Sequence, residues 1–247
     1  MSLEEDILKK VMLLDGAMGT LLSHHLGKLE TLDEVSIISP AEVEQIHLDY
    51  SMAGADIFKT NTFNNSPHTQ KAVELAKNAL LRNDQYIAGV IGPILYQNPL
   101  EKIIDDFNDS KVDCLLLETC MSLKDTKEII EVIKKRSSLP ILVSITLKQD
   151  GTSLDGNSAQ YFFDTVSQLD IFSFGFNCSF GPQSITKVAM NLKNPLNIPL
   201  SAHPNMKDKK SFLEEIKMWI NEDIFKMIGG CCGTTPDEIK KLRSIIP

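Results

Sequence analysis

Apolar residues gather into eight short continuous runs along the chain, at positions 11–15, 55–61, 87–93, 113–119, 140–146, 171–178, 198–205 and 227–233, each closing on small or polar residues. Apolar positions follow one another in these runs instead of alternating with polar ones, so they read as strands buried on both faces, the pattern of a parallel sheet. Between them, segments such as 41–52, 69–82, 123–136, 159–168, 212–220 and 236–245 carry apolar residues at helical spacing, each offering one stripe to the sheet. Ser39-Pro40, Gly181-Pro182 and Thr235-Pro236, the last with Glu238 in its first turn, mark helix starts. The strand starts at Ile87, Asp113, Pro140, Ile171, Ile198 and Met227 are 26, 27, 31, 27 and 29 residues apart, close to the ~30 of one βα unit. Eight such units predict an α/β chain folded as a single (β/α)8 TIM barrel, with residues 1–247 as one domain. An open doubly wound sheet is the alternative, but it would usually carry a G-x-G-x-x-G turn after its first strand. Asp15-Gly16-Ala17-Met18-Gly19-Thr20 spaces its glycines three apart.

A barrel builds its active site at the carboxyl ends of its strands, so the residues that close the runs belong together. They are Asp15-Gly16, Thr60-Asn61-Thr62, Gly92-Pro93, Glu118-Thr119-Cys120, Thr146, Asn177-Cys178, Pro204-Asn205 and Gly230-Cys231-Cys232-Gly233. Three cysteines, Cys178, Cys231 and Cys232, thereby converge on one rim. Cys178 precedes Cys231 by 53 positions and no C-x-x-C occurs, so this is not a zinc-finger spacing. Three thiolates with an open fourth position is the pattern of a reactive zinc site. The flanking glycines would let adjacent cysteines turn toward one ion. A vicinal disulfide or redox pair at Cys231-Cys232 uses the same residues and stays open at this point. Cys114, inside its run, and Cys120, at a run's end, read as core residues. The five histidines show no H-x-x-x-H or H-E-x-x-H spacing, which argues against a histidine-ligated hydrolase zinc. His203 alone falls at a strand end, where it can support a neighbouring group.

Charge and composition narrow the partners. With 25 Lys+Arg against 33 Asp+Glu the net charge is −8, and no basic tract occurs, which argues against nucleic acid and anionic membrane surfaces. No apolar segment approaches the ~18 residues of a membrane span. The opening Met-Ser-Leu-Glu-Glu-Asp is acidic where a secretory signal is basic. Five cysteines, an odd number in a chain of this length, read as reduced thiols, so the expected location is cytoplasmic.

Four ordered stretches carry a resemblance. Leu14-Asp15-Gly16-Ala17-Met18-Gly19-Thr20, Gly54-Ala55-Asp56-Ile57 leading into Thr60-Asn61-Thr62-Phe63, Gly175-Phe176-Asn177-Cys178 and Gly229-Gly230-Cys231-Cys232-Gly233-Thr234-Thr235-Pro236 resemble the homocysteine S-methyltransferase family. Through Asn177-Cys178-Ser179-Phe180-Gly181-Pro182 and the double-cysteine stretch, the chain is most similar to the homocysteine-binding module of cobalamin-dependent methionine synthases. The resemblance implies one zinc ion held by Cys178, Cys231 and Cys232, with homocysteine as methyl acceptor. It also implies that Asp15 and Glu118 hold the amino acid part of homocysteine, together with backbone groups of the first loop at Gly16. Asn177 is a further candidate for a polar contact. Glu118 follows Leu115-Leu116-Leu117, a poor place for an unpaired carboxylate, which favours a bound cation such as an α-ammonium.

A free thiol of pKa ~8.5 is mostly protonated at neutral pH, whereas a zinc-bound one is deprotonated. No catalytic residue beyond the zinc-bound substrate thiolate is therefore implied. The product thioether is a poorer zinc ligand and leaves. The chain has no room for folate-binding, corrinoid or reactivation modules, so the expected donor is methyl-cobalamin on a separate corrinoid protein. S-methylmethionine or another small donor is the alternative; Asn64 after Thr62-Phe63 weakens a betaine reading. A non-catalytic thiol- or metal-binding protein, or a redox protein using Cys231-Cys232, is the alternative of another class.

Overall fold

A computed structural model describes residues 2–65, 67–93, 99–179, 181–206 and 209–247. Phe180, within one of the motif stretches, lies outside them. A strand falls on each of the eight runs: β1 Met12–Leu13, β2 Ile57–Lys59, β3 Tyr86–Ile91, β4 Cys114–Cys120, β5 Ile141–Ile145, β6 Ser173–Cys178, β7 Leu200–Pro204 and β8 Met227–Ile228. All neighbours pair in parallel, in the order β1-β8-β7-β6-β5-β4-β3-β2. A single parallel bridge between Leu14 and Ile57 joins β1 to β2, with Asp15 N–H donating to Ile57 O at 3.0 Å and Asp56 N–H to Leu13 O at 2.7 Å. The ring is thus closed and the open-sheet alternative is excluded.

The predicted helices appear as Pro40–Met52, Thr69–Asn78, Leu123–Arg136, Ala159–Val166, Lys209–Asn221 and Pro236–Arg243. Pro182 sits in the first turn of a further helix, Pro182–Asn191, and Thr235 and Glu238 form a capping box. Leu100–Asp109 adds the crossover between β3 and β4. The segment read as helix to 82 stops at Asn78, because the amides of Leu81 and Arg82 donate to Gln85 Oε1 (2.7 and 3.0 Å) and turn the chain into β3.

Strand alternation sorts side chains into two cores. Met12, Leu14, Ile57, Ala88, Val90, Cys114, Leu116, Leu142 and Met227 fill the inside of the barrel, while a larger set including Phe58, Leu115, Leu117, Phe174 and Phe176 packs beneath the helices. Cys114 is therefore core, as expected. The first helix, Leu3–Lys9, adds Leu3 and Ile7 to the inner cluster, and its Asp6 accepts from Tyr86 OH at 2.8 Å. By the same alternation Lys59 follows Ile57 inward and Glu118 follows Leu116, so both reach the rim from inside the barrel.

The β1–β2 seam has a second fastener. The buried Asp56 carboxylate accepts Leu13 N–H (2.9 Å), Arg82 Nη2 (2.8 Å) and Arg243 Nη1 (2.9 Å), tying the seam to the last helix.

Candidate active site

Cys178 closes β6, and Cys231 and Cys232 follow β8 on a glycine-flanked turn. Their sulfurs converge: Sγ of Cys178 lies 2.8 Å from that of Cys231 and 3.4 Å from that of Cys232, and the last two are 3.9 Å apart. Sulfurs around a tetrahedral zinc, each ~2.3 Å from it, would stand roughly 3.8 Å apart. The trio brackets that spacing, and soft thiolates are the donor set zinc favours. All five cysteines are free, and the vicinal pair has the longest separation of the three, which does not favour it as a redox couple.

The backbone is bent to achieve this convergence. Cys178 and Ser179 both take left-handed angles (φ 52° and 51°), uncommon for residues with a Cβ. Ser179 Oγ holds the turn, accepting Leu147 N–H at 3.0 Å and donating to Asn177 O at 3.0 Å. On the other side Cys231 N–H donates to Pro204 O (2.9 Å) and Met206 N–H to Cys232 O (3.0 Å). A Cβ at Gly230 would come within 2.2 Å of Thr234 Oγ1, so the turn requires glycine there.

Hydrogen bonds from the Cys178 and then the Cys231 thiol pull Cys232 down to about 3. Those bonds to Cys178 and Cys232, with burial, push Cys231 well above the usual thiol value. One thiolate and two thiols share the rim, so a metal binding all three sulfurs must displace protons.

Beside the sulfurs lies a charged floor that sequence reading did not anticipate. Lys59, buried at the end of β2, places Nζ 3.2 Å from Glu118 Oε1, 3.3 Å from Gly230 O and 3.8 Å from Asp15 Oδ1. His203 Nδ1 lies 3.3 Å from the same Glu118 oxygen, the supporting place its strand end predicted. Burial alone would raise Glu118, but the Lys59 ammonium and His203 reverse it and hold the carboxyl at about 2. Asp15, deeper still, is raised by burial to about 7 although Lys59 opposes the shift. Lys59 itself is held charged: burial would lower it, but Glu118 and Asp15 raise it further.

The two carboxylates therefore titrate far apart, and the Asp15 shift has a measurable consequence. An acid raised on folding binds its proton more tightly in the native state, so its contribution to stability falls as pH rises from about 4 to about 7. Asp15→Asn keeps an acceptor for Lys59 N–H (3.0 Å) and cannot ionise. The variant should gain on the wild type by on the order of 2–3 kcal/mol between pH 5 and pH 8. Urea midpoints at the two pH values check this, and a gap that does not widen with pH refutes it.

A cavity of about 540 Å³ opens above the floor, lined by Gly16, Lys59, Glu118, Thr119 and the three cysteines, with Met18, Leu26, Leu32 and Phe63 toward its mouth. Of the predicted substrate residues, Gly16 and Glu118 face it; a Cβ on Gly16 would lie 2.6 Å from the Tyr50 hydroxyl, so the close approach needs glycine. Asp15 lies beneath Lys59 and does not line the cavity. Asn177 is fully buried and occupied: Oδ1 accepts Thr119 N–H (3.0 Å) and Ser144 Oγ (2.9 Å), and Nδ2 donates to Thr119 Oγ1 (2.8 Å) while lying 4.0 Å from Cys231 Sγ. It braces β4 against β6. Cys120 is buried and raised to about 12 by burial, matching its reading as core. Outside the cavity, His24 and His25 both reach the Glu42 carboxylate, at 3.1 and 2.9 Å, and tie the loop after β1 to the helix Pro40–Met52.

Comparison with known proteins gives the family and the fold. The sequence profile of the family described as homocysteine S-methyltransferase matches residues 12–246. Among solved structures, the oxidised form of the homocysteine methyltransferase MmuM from Escherichia coli is 23% identical, with 97% of this chain and 98% of that chain covered and a TM-score of 0.82. Its metallated form gives 22% identity, coverage of 95% and 96%, and a TM-score of 0.79. The carboxyl transferase domain of Rhizobium etli pyruvate carboxylase shares only 9% identity over 98% of this chain and 48% of that one, with a TM-score of 0.62. That likeness is one of fold.

Proposed function

Because this chain belongs to the homocysteine S-methyltransferase family, we propose that it methylates homocysteine at a zinc site formed by Cys178, Cys231 and Cys232, with residues 1–247 acting as one homocysteine-binding barrel in the cytoplasm. The observation that carries the zinc reading is the meeting of three sulfurs from two distant strand ends within 2.8 to 3.9 Å, facing the cavity. Zinc bound there would accept the homocysteine sulfur at a fourth position and supply it as a thiolate at neutral pH. The chain's own residues do the rest. Glu118 offers the acceptor's ammonium a carboxylate already ionised, and Gly16 lets the first loop approach closely. Asn177 and Thr119 fix the rim between the cysteines and Glu118, and Asp15 acts through Lys59.

A methyl-corrinoid protein is the preferred donor, on the likeness of residues 177–182 to the cobalamin-dependent type. Leu26, 64% exposed, and Phe63, 37% exposed, give a partner apolar contacts at the mouth. Transfer from S-methylmethionine or another small donor is the second reading.

Zinc X-ray absorption on reduced protein, with and without homocysteine, tests the site. A three-sulfur shell should gain a fourth sulfur when homocysteine is added. Protein without zinc, or a shell that homocysteine does not change, overturns the reading. Methionine formation with methyl-corrinoid protein and with S-methylmethionine, run side by side, then separates the donors.

A further inference from the structure

The acceptor's carboxylate needs a cation, and the cavity supplies one. Among its described lining residues Lys59 is the sole lysine or arginine, against Asp33, Glu118 and three cysteine sulfurs. Hydroxyl and amide groups such as those of Thr20, Ser23 and Asn61 also line it, but Lys59 alone offers a carboxylate a full opposite charge. The ammonium bonds Glu118 Oε1 (3.2 Å) and Gly230 O (3.3 Å), beside Cys231, which places it next to the sulfur cluster. Asp15 Oδ1, at 3.8 Å, forms an ion pair with the ammonium but lies beyond hydrogen-bond distance, so the third N–H makes no hydrogen bond to a described residue. Glu118 is likewise only half engaged: its Oε1 meets Lys59 and His203, whereas Oε2 bonds none of the described residues. An ammonium and a carboxylate thus present one open position each, side by side at the cavity floor.

From this juxtaposition we infer that Lys59 is a specificity-determining residue that holds the acceptor's α-carboxylate while Glu118 Oε2 holds its α-ammonium. The pocket then selects thiols carrying both charges of an α-amino acid. The inference rests on the proposed homocysteine site and adds to it a residue of opposite charge to Asp15 and Glu118. A purely structural Lys59, serving only to neutralise those two carboxylates, would predict that its replacement changes affinity for thiols with and without the carboxylate alike.

Three thiols separate these cases on zinc-loaded protein: homocysteine, 3-mercaptopropylamine, which lacks the carboxylate, and 4-mercaptobutyrate, which lacks the ammonium. Isothermal titration should show the wild type binding homocysteine more tightly than 3-mercaptopropylamine by roughly 10- to 100-fold, the range for a hydrogen bond to a charged group. Lys59→Leu should lose most of that factor on homocysteine and little on 3-mercaptopropylamine, so the ratio between them collapses. Lys59→Arg should recover much of it. An unchanged ratio in Lys59→Leu overturns the assignment. Should that variant fold poorly by circular dichroism, the wild type alone still decides: equal affinity for homocysteine and 3-mercaptopropylamine overturns it as well. A wild type that binds none of the three thiols overturns the homocysteine site and the Lys59 role together. Binding of homocysteine with no carboxylate preference overturns the Lys59 role alone.

Discussion

Cys231→Ser is expected to abolish zinc retention and to lower methionine formation by roughly a thousandfold. The size follows from two losses. A free thiol of pKa ~8.5 is only a few per cent ionised at pH 7, a deficit of roughly 30-fold. An unanchored sulfur also loses its alignment with the incoming methyl, and a misplacement of ~1 Å costs about a hundredfold. Serine differs from cysteine by one atom, and Cys231 sits on a rim turn held by the backbone bond to Pro204. The fold should therefore survive, with an unchanged circular dichroism spectrum. Cys120→Ser is the control: this buried sulfur is outside the trio, so zinc stoichiometry should stay near that of the wild type. Full zinc occupancy in purified Cys231→Ser would remove Cys231 from the ligand set.

The largest effect on stability is expected at the other end of the barrel. Asp56→Ala removes the carboxylate shared by Leu13 N–H, Arg82 and Arg243, and leaves two guanidinium groups facing an empty position. Leaving the buried Leu13 N–H without its acceptor costs about 1–3 kcal/mol, and each lost pair to a partly exposed arginine adds at most about 1 kcal/mol, for a total of roughly 2–4 kcal/mol. Among the described residues the seam has one bridge of its own, between Leu14 and Ile57, with the Lys59 N–H bond to the Asp15 carboxylate beside it. Asp56→Asn, which keeps an acceptor for Leu13 N–H, should lose less. Urea denaturation would show the difference, and the Asp56 side chain is 3% exposed, so added salt should not mask it. A loss below about 1 kcal/mol would mean that the bridge suffices without the ion pairs.

Much of this was legible in the chain. Eight continuous apolar runs gave eight strands, and the regular step between them gave the barrel. The ends were less legible. The runs 11–15 and 227–233 narrow to Met12–Leu13 and Met227–Ile228 because the residues after them leave the ladder to build the rim. The three cysteines were readable because strand ends meet at one face, so residues far apart in sequence share a place. Lys59 was not, since it hides inside the apolar run 55–61. Its signal was period two: Ile57 and Lys59 point the same way, and a charge on the inward face of a fully buried strand must find a partner. Asn177, at a strand end on the rim, reads in the sequence as a candidate for a polar contact to the substrate. Only its hydrogen bonds across β5, to Thr119 at the end of β4 and to Ser144 between them, show that its amide is used within the protein.

The left-handed backbone at Cys178 and Ser179 recurs at Thr119, with φ of 63°, where the branched side chain makes it more costly still. Such conformations cost roughly 1 kcal/mol or more each, a burden glycine would not carry. A laboratory selection for heat tolerance alone would favour glycine at Ser179 and Thr119. The same exchange would remove the two hydroxyls that hold Asn177 and the Cys178 turn in place. Robustness and turnover pull in opposite directions at this rim, so evolved lines should be screened for methyl transfer at every round.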